Sequence, residues 1–304
     1  MSTINPNPTA PDKAAKPYRK PLASARLLGV SLLHLLLVVL SLTMVLPFIW
    51  MVLTSLKPLD EVGLETWLPS VLKWENYALL FGYGLNAEEA AQGITYGRWY
   101  WNSVFVASCV TYLQVVTSSM AAFSFSRLKW FGRDKVFFLY LGTMMLPMLV
   151  MMIPNYQIMI SLGLVDTYWG LIIPAAFSAF GTFLLRQFML SIPSSLDEAA
   201  LIDGASKWRL FWDVILPLSR PGLITLTIFT FIGNFQSFFW PLVMLKSTYR
   251  YTLPVGLLYF DSSQGQQTNV LMAAITLSVI PMLVLFVVLQ KYLVKGIQLG
   301  AVKG

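Results

Sequence analysis

Asn234, Gln236 and Ser237 fall within the apolar run FTFIGNFQSFFWP at 229–241. Polar side chains in such a run tend to face a bundle interior or a watered path, not lipid. Two amides and a hydroxyl both donate and accept, which suits a ligand rich in hydroxyl groups. Trp240 or Phe238 stands close enough in sequence to stack on a ring. This is binding chemistry. Acid–base or metal chemistry lacks its parts, because the apolar runs hold no Asp or Glu and no Cys/His cluster. Cys109 is alone, so there is no disulfide framework. His34 is also alone, in the first apolar run, where packing or an interfacial position is its expected role. No G-x-x-x-x-G-K-[ST] occurs, so the chain has no P-loop of its own.

The elements that would hold these residues are membrane spans. Only 12% of the 304 residues are charged, against about 25% in soluble domains. Charge-free stretches run over 27–56, 99–126, 136–165, 167–185, 221–245 and 262–290. Each can hold the roughly 20 residues that cross the hydrocarbon. The spans expected are 27–51, 102–125, 136–156, 167–187, 221–244 and 270–291. The fold class is therefore an all-α integral membrane bundle of six helices.

Charge sets the orientation. With the amino terminus inside, sixteen of the 21 Lys and Arg residues fall on the cytoplasmic side. Only Lys57, Lys73, Arg98, Lys246 and Arg250 are outside. That bias on mostly short loops predicts both termini in the cytoplasm of a multi-pass protein. The net charge of +7 is thus a topology signal and not a nucleic-acid patch. The first span is too long for a cleaved signal and is expected to stay in the membrane.

Residues 1–26 are basic and proline-rich and are expected to be a disordered cytoplasmic tail. Residues 27–98 comprise the first span and a long external loop. Trp67, Trp74, Tyr77, Phe81 and Tyr83 predict a folded lobe at the outer interface. A core domain covers 99–291, and 292–304 form a cytoplasmic tail. Pro47, Pro147, Pro174 and Pro281 lie inside spans, where each removes a backbone donor and can kink its helix.

Between the fourth and fifth spans lies EAALIDGASKWRLFWDVILPLSRP, Glu198 to Pro221, the longest soluble-looking amphipathic stretch of the chain. Ser195 and Glu198 have the spacing of a capping box. Gly204 is placed to end that short helix in a left-handed conformation. A second helix is expected from Ser206, with Trp208, Phe211, Trp212 and Ile215 on one apolar face at i, i+3, i+4 and i+7, packed on the chain's own helices. A membrane chain has no need of such a segment unless something docks on it.

The wording of that segment, Glu198-Ala199-Ala200 followed by Asp203-Gly204-Ala205 and Pro217, resembles the cytoplasmic coupling ("EAA") loop of binding-protein-dependent type I ABC importer permeases. PFIWMVLTSLKP from 47, TYWGLIIP at 167–174, FGTFLLRQF at 180–188, LPVGL at 253–257 and VKGIQLGAVKG at 294–304 extend the likeness to the sugar-importer (MalG-like) subfamily. Phe235-Gln236 departs from the Trp-Asn usual there.

The resemblance implies the type I importer transmembrane fold, with a coupling loop over 193–218. It makes Glu198, Ala199, Ala200, Asp203, Gly204 and Ala205 the ATPase-docking residues. Asn234, Gln236 and Ser237 become substrate-path candidates. The partners implied are a second homologous permease, two copies of a cytoplasmic ATPase, an extracytoplasmic sugar-binding protein and membrane lipid, with no nucleic acid. The chain itself would be no enzyme and hold no cofactor or metal, ATP and Mg²⁺ being bound by the ATPase. The resemblance implies a bacterial cytoplasmic (inner) membrane location. Maltodextrin-like, uronate-oligosaccharide and glycerol-phosphate cargo all remain open. An ion-coupled secondary carrier is the rival class, but it would keep ionisable residues within the membrane.

Overall fold

The apolar runs form helices. A computed structural model describes residues 23–63, 66–83, 96–263 and 267–301, and among these there is no strand. The expected tail over 1–26 therefore lies mostly outside the described residues, and its last residues already belong to a helix.

Helix α1 spans Ala23–Ser55. The chain divides into two compact units, one ending at Trp50 and one starting at Met51. In the first, Leu35, Leu36, Leu42 and Met44 are all exposed, and a helix apolar on every side is suited to lipid. Pro47 lies inside this helix without ending it.

The second unit holds α2 (Glu75–Leu80), α3 (Tyr96–Arg127), α4 (Arg133–Gly142), α5 (Met148–Ser161), α6 (Trp169–Ala175) and α7 (Ala179–Ser191). It continues with α8 (Ser195–Ile202), α9 (Lys207–Leu218), α10 (Arg220–Phe235), α11 (Phe239–Met244), α12 (Leu253–Ser263) and α13 (Thr268–Ala301). Three helical stretches are long and apolar enough to cross a membrane: Gly29–Ser55, Tyr96–Arg127 and Thr268–Val288. Up to six spans result if each sharply bent pair counts as one.

Three of the six expected spans are divided by breaks. The span expected at 136–156 is two helices meeting at 99°. Pro147 sits at the junction in an extended conformation as the N-cap of α5. It cannot donate to the preceding turn, and it disfavours a helical residue before it. The span at 167–187 is α6 and α7, bent by 42° just after Pro174. The span at 221–244 is α10 and then α11, interrupted at 236–238. A third sharp bend, 74°, separates α9 from α10. Pro281 lies within α13, which continues as helical backbone through the expected tail to Ala301.

Helix α3 organises the unit. It packs along α7 and α10 and also touches α6 and α12. Its buried residues join three apolar clusters: Trp99 and Ala107, then Val106 and Val110, then Ala122 and Phe123. Between lipid-embedded helices, close packing and hydrogen bonds replace most of the hydrophobic drive. The close approaches are visible: Gly181 sits against Ser118, Gly222 against Phe188 and Gly256 against Trp99.

Among the described residues of the loop after α1, a hydrogen-bonded clip holds residues 55–57 to α2 and α13. Asn76 donates to the carbonyls of Ser55 (2.8 Å) and Lys57 (3.0 Å). Asn269 donates to Lys57 (3.2 Å) and to the Asn76 side chain (3.1 Å). The Lys57 ammonium is buried and donates to the Thr66 carbonyl. Trp67, Trp74, Phe81 and Tyr83 remain exposed.

A second clip joins the α5–α6 loop to the segment after α11. Asp166 adopts a left-handed φ of 58°. Its carboxylate accepts from the amides of Lys246 (2.9 Å) and Ser247 (3.0 Å), from the Ser247 hydroxyl (2.6 Å) and from Arg250 (3.2 Å). Partial burial alone would push this carboxyl up, but the hydrogen bonds and Arg250 outweigh it and hold it below its ordinary range.

Candidate functional site

The soluble-looking segment forms two helices joined at a glycine. Helix α8 begins at Ser195, one residue earlier than a capping box requires. Its N-cap is Ser194, in a helical conformation and without a side-chain cap bond. The Ser195–Glu198 box therefore does not form. Its backbone is instead continuous with the turn after Pro193, whose carbonyl accepts from Leu196 at 3.3 Å. The consequence is that the Glu198 carboxylate is exposed, with no intramolecular partner among the described residues.

The other end of α8 is as expected. Gly204 has φ 78°. The Ala205 amide donates to Ala200 (2.9 Å) and the Gly204 amide to Leu201 (3.1 Å), the paired bonds of a Schellman stop. Ser206 then starts α9, its hydroxyl accepting from the Arg209 amide at 3.3 Å. Ala199 and Asp203 are exposed, whereas Ala200 is half-buried against the Phe211 cluster and Ala205 is half-buried.

Helix α9 departs from the expected periodicity. Leu210–Ile215 is a π-helical turn. Widening the turn buries Leu210, Phe211 and Ile215 together and rotates the two tryptophans outward. Trp208 and Trp212 are 62% and 52% exposed, so the face read as internal packing is divided. Phe211 packs on Phe123 of α3 at 5.1 Å between ring centroids. Both tryptophans meet Phe211 in edge-to-face contacts.

Two residues that the motif did not single out fasten this knob. Arg127, the last residue of α3, pairs with Asp197 of α8 at 2.9 Å and donates to the carbonyls of Met189 and Ile192 at the end of α7. In the sequence, Arg127 is visible only as one cytoplasmic cation among many.

Asn234 and Ser237 are half-buried and Gln236 is exposed, all at the break between α10 and α11. The Asn234 amide donates to the Thr230 carbonyl of its own helix (2.8 Å), and the Gln236 amide approaches the Met282 sulfur of α13 (3.1 Å). The break sets three polar side chains among Phe235 and Phe238 on turned backbone, but the three do not converge on one point through mutual side-chain bonds.

Gln114 of α3, which sequence reasoning missed, ties the α6–α7 break to the middle of α10. It donates to the Ala175 carbonyl (2.6 Å) and accepts from Thr230 of α10 (3.1 Å). Thr117 covers the Ala176 carbonyl (2.8 Å). These bonds satisfy backbone that the interruption of α6–α7 would leave bare in an apolar setting.

Comparison with known proteins agrees with this architecture. Residues 114–299 match the family described as binding-protein-dependent transport system inner membrane component. The chain belongs to that family: it is a membrane permease component of a type I ABC importer.

It is 32% identical over 264 residues to the arabinooligosaccharides transport system permease protein AraQ of Halalkalibacterium halodurans, covering 86% of this chain and 91% of that one. It is 33% identical over 234 residues to the sn-glycerol-3-phosphate transport system permease protein UgpE of Yersinia enterocolitica, covering 76% and 82%. Its fold matches a bacterial ABC transporter involved in import of the acidic polysaccharide alginate. The TM-score is 0.76 at 26% identity, over 90% of this chain and 98% of that one.

Proposed function

We propose that this chain is the permease subunit through which an ATP-driven importer moves a sugar or oligosaccharide into the cytoplasm. The cargo is handed over by an extracytoplasmic binding protein. A second homologous permease completes the path, and two ATPase copies, holding ATP and Mg²⁺, dock on the coupling loops. The observation that carries this reading is the knob of α8 and α9: exposed, stopped sharply at Gly204, fastened to α3 and bearing a free Glu198. Glu198, Ala199, Asp203 and Gly204 form its outward surface, while Ala200 and Ala205 seat it.

The oligosaccharide class is favoured over glycerol phosphate by relatives named for arabinooligosaccharides that cover 86% and 90% of the chain, against 76% for the relative named for sn-glycerol-3-phosphate. Both termini lie in the cytoplasm on this reading. A cysteine placed at 85, outside the described residues, should react with an impermeant maleimide in intact cells, and one at 206 should not. The reverse pattern would overturn the orientation.

Reconstitution tests the function. Liposomes holding both permeases and the ATPase, given the binding protein and ATP, should accumulate the oligosaccharide that this binding protein retains. The chain alone should accumulate none, and uptake by it alone would refute the importer reading.

The polar break at 234–237 is the proposed cargo contact. Replacing Asn234, Gln236 and Ser237 with Leu removes hydrogen-bond partners for cargo hydroxyls, each worth about 1 kcal/mol. Uptake should fall at least tenfold while assembly and basal ATP hydrolysis persist. Unchanged uptake kinetics would assign the cargo contacts to the partner permease.

A further inference from the structure

Helix α8 contributes no fully buried residue, so packing holds it only weakly. Its other attachments are the short link through Pro193 and the glycine stop that leads to α9. Among the described residues, the Arg127–Asp197 pair is its only side-chain hydrogen bond or ion pair to another helix. The two side chains are 7% and 17% exposed.

One guanidinium therefore meets three helices: it ends α3, covers carbonyls at the carboxyl end of α7 and holds a first-turn acid of α8. Both helix ends favour the charge they receive, a cation at the carboxyl end of α7 and an acid at the amino end of α8. Arg186, the neighbouring cation, reaches Phe125 and Asp134 but not α8.

We propose that Arg127 and Asp197 are positioning residues forming the joint through which movement of α8 reaches α3, beside the packing of Phe211 of α9 on Phe123. Through α3 it reaches both broken spans, since Gln114 and Thr117 of that helix hold the α6–α7 break and Thr230 of α10. The proposal rests on the importer reading above.

The joint is poorly built for stability alone. Arg127 Nε and Asp197 Oδ1 are both buried without a partner, and a buried pair with unfilled donors and acceptors gains little over well-packed apolar residues. What it does provide is a directional tie of α8, which has no fully buried residue, to α3 and α7.

The test uses the assembled importer with its own second permease and ATPase. In a Cys109→Ser background, spin labels are placed at Ile202, 86% exposed on α8, and Tyr112, 70% exposed on α3. Addition of ATP and vanadate should change the distance between them by less than about 2 Å, because α8 and α3 move together. In Arg127→Met, Asp197→Leu and the double variant, the same addition should shift or broaden the distribution by more than that. The double variant should be no worse than either single one, since both remove one interaction. Asp197→Glu should restore the narrow distribution.

Co-purified ATPase and basal ATP hydrolysis, expected to stay within about twofold of the parent, report separately on the importer reading. An unchanged distribution in all three variants would overturn the joint while leaving that reading intact. So would loss of assembly in the variants that Asp197→Glu fails to repair. Loss of ATPase from the parent itself would overturn both.

Discussion

Gly204→Pro should abolish import while leaving the complex assembled and able to hydrolyse ATP. Gly204 has φ 78°, and proline is confined near −65°. The substitution also removes the amide that donates to Leu201, one of the two bonds ending α8. The mismatch is worth about 3 kcal/mol or more, enough to re-aim α9 relative to α8. The damage stays local because Gly204 is exposed and nothing lies within 4 Å of where its Cβ would be. That open space separates conformation from crowding: Gly204→Ala meets only the left-handed penalty of about 1–2 kcal/mol, and Gly204→Asn less. Uptake should therefore rank Gly, Asn, Ala, Pro. Glu198→Lys should also uncouple, since it inverts an exposed charge near the amino end of α8. Paired measurements of ATP hydrolysis and oligosaccharide uptake decide the matter, and full transport by both Gly204→Pro and Glu198→Lys would refute the role given to the knob.

Gly204 was legible in the sequence because its requirement is local: a helix stop between an apolar-periodic segment and Ser206 needs a residue that accepts positive φ. The membrane character was legible for a similar reason, since charge-free length is a property of the chain alone. The α5 junction was half-legible. Pro147 announces lost helical bonding, but the 99° turn depends on what the neighbouring helices offer in return. The π turn at Leu210–Ile215 was not legible, because a 3.6-residue period and a widened turn differ by one residue per turn over a segment of only six. Arg127 and Gln114 were hidden differently. Each acts on backbone carbonyls or a carboxylate more than 60 positions away, and no local pattern encodes such a partner.

The contact between Gly256 and Trp99 supports a large stability effect. Trp99 is fully buried in α3, and its indole nitrogen donates to the Thr248 carbonyl at 2.8 Å. A Cβ on Gly256 would stand 2.3 Å from two carbons of that ring. The ring cannot simply slide, because moving it breaks the Thr248 bond and disturbs the cluster with Leu253 and Val270. Gly256→Val must therefore push α12 away from α3, at a cost of about 1–3 kcal/mol or somewhat more. Trp99→Ala acts in the opposite sense, opening a cavity worth about 3–5 kcal/mol. Both variants should melt well below the parent in detergent and assemble poorly. The pair Gly256→Ala with Trp99→Leu should do better than the sum of its single changes, because the smaller side chain vacates the space that the added methyl needs. Thermal melting of the purified complex measures all of these, and additive losses in the double variant would show that Gly256 is small for a reason other than the indole it faces.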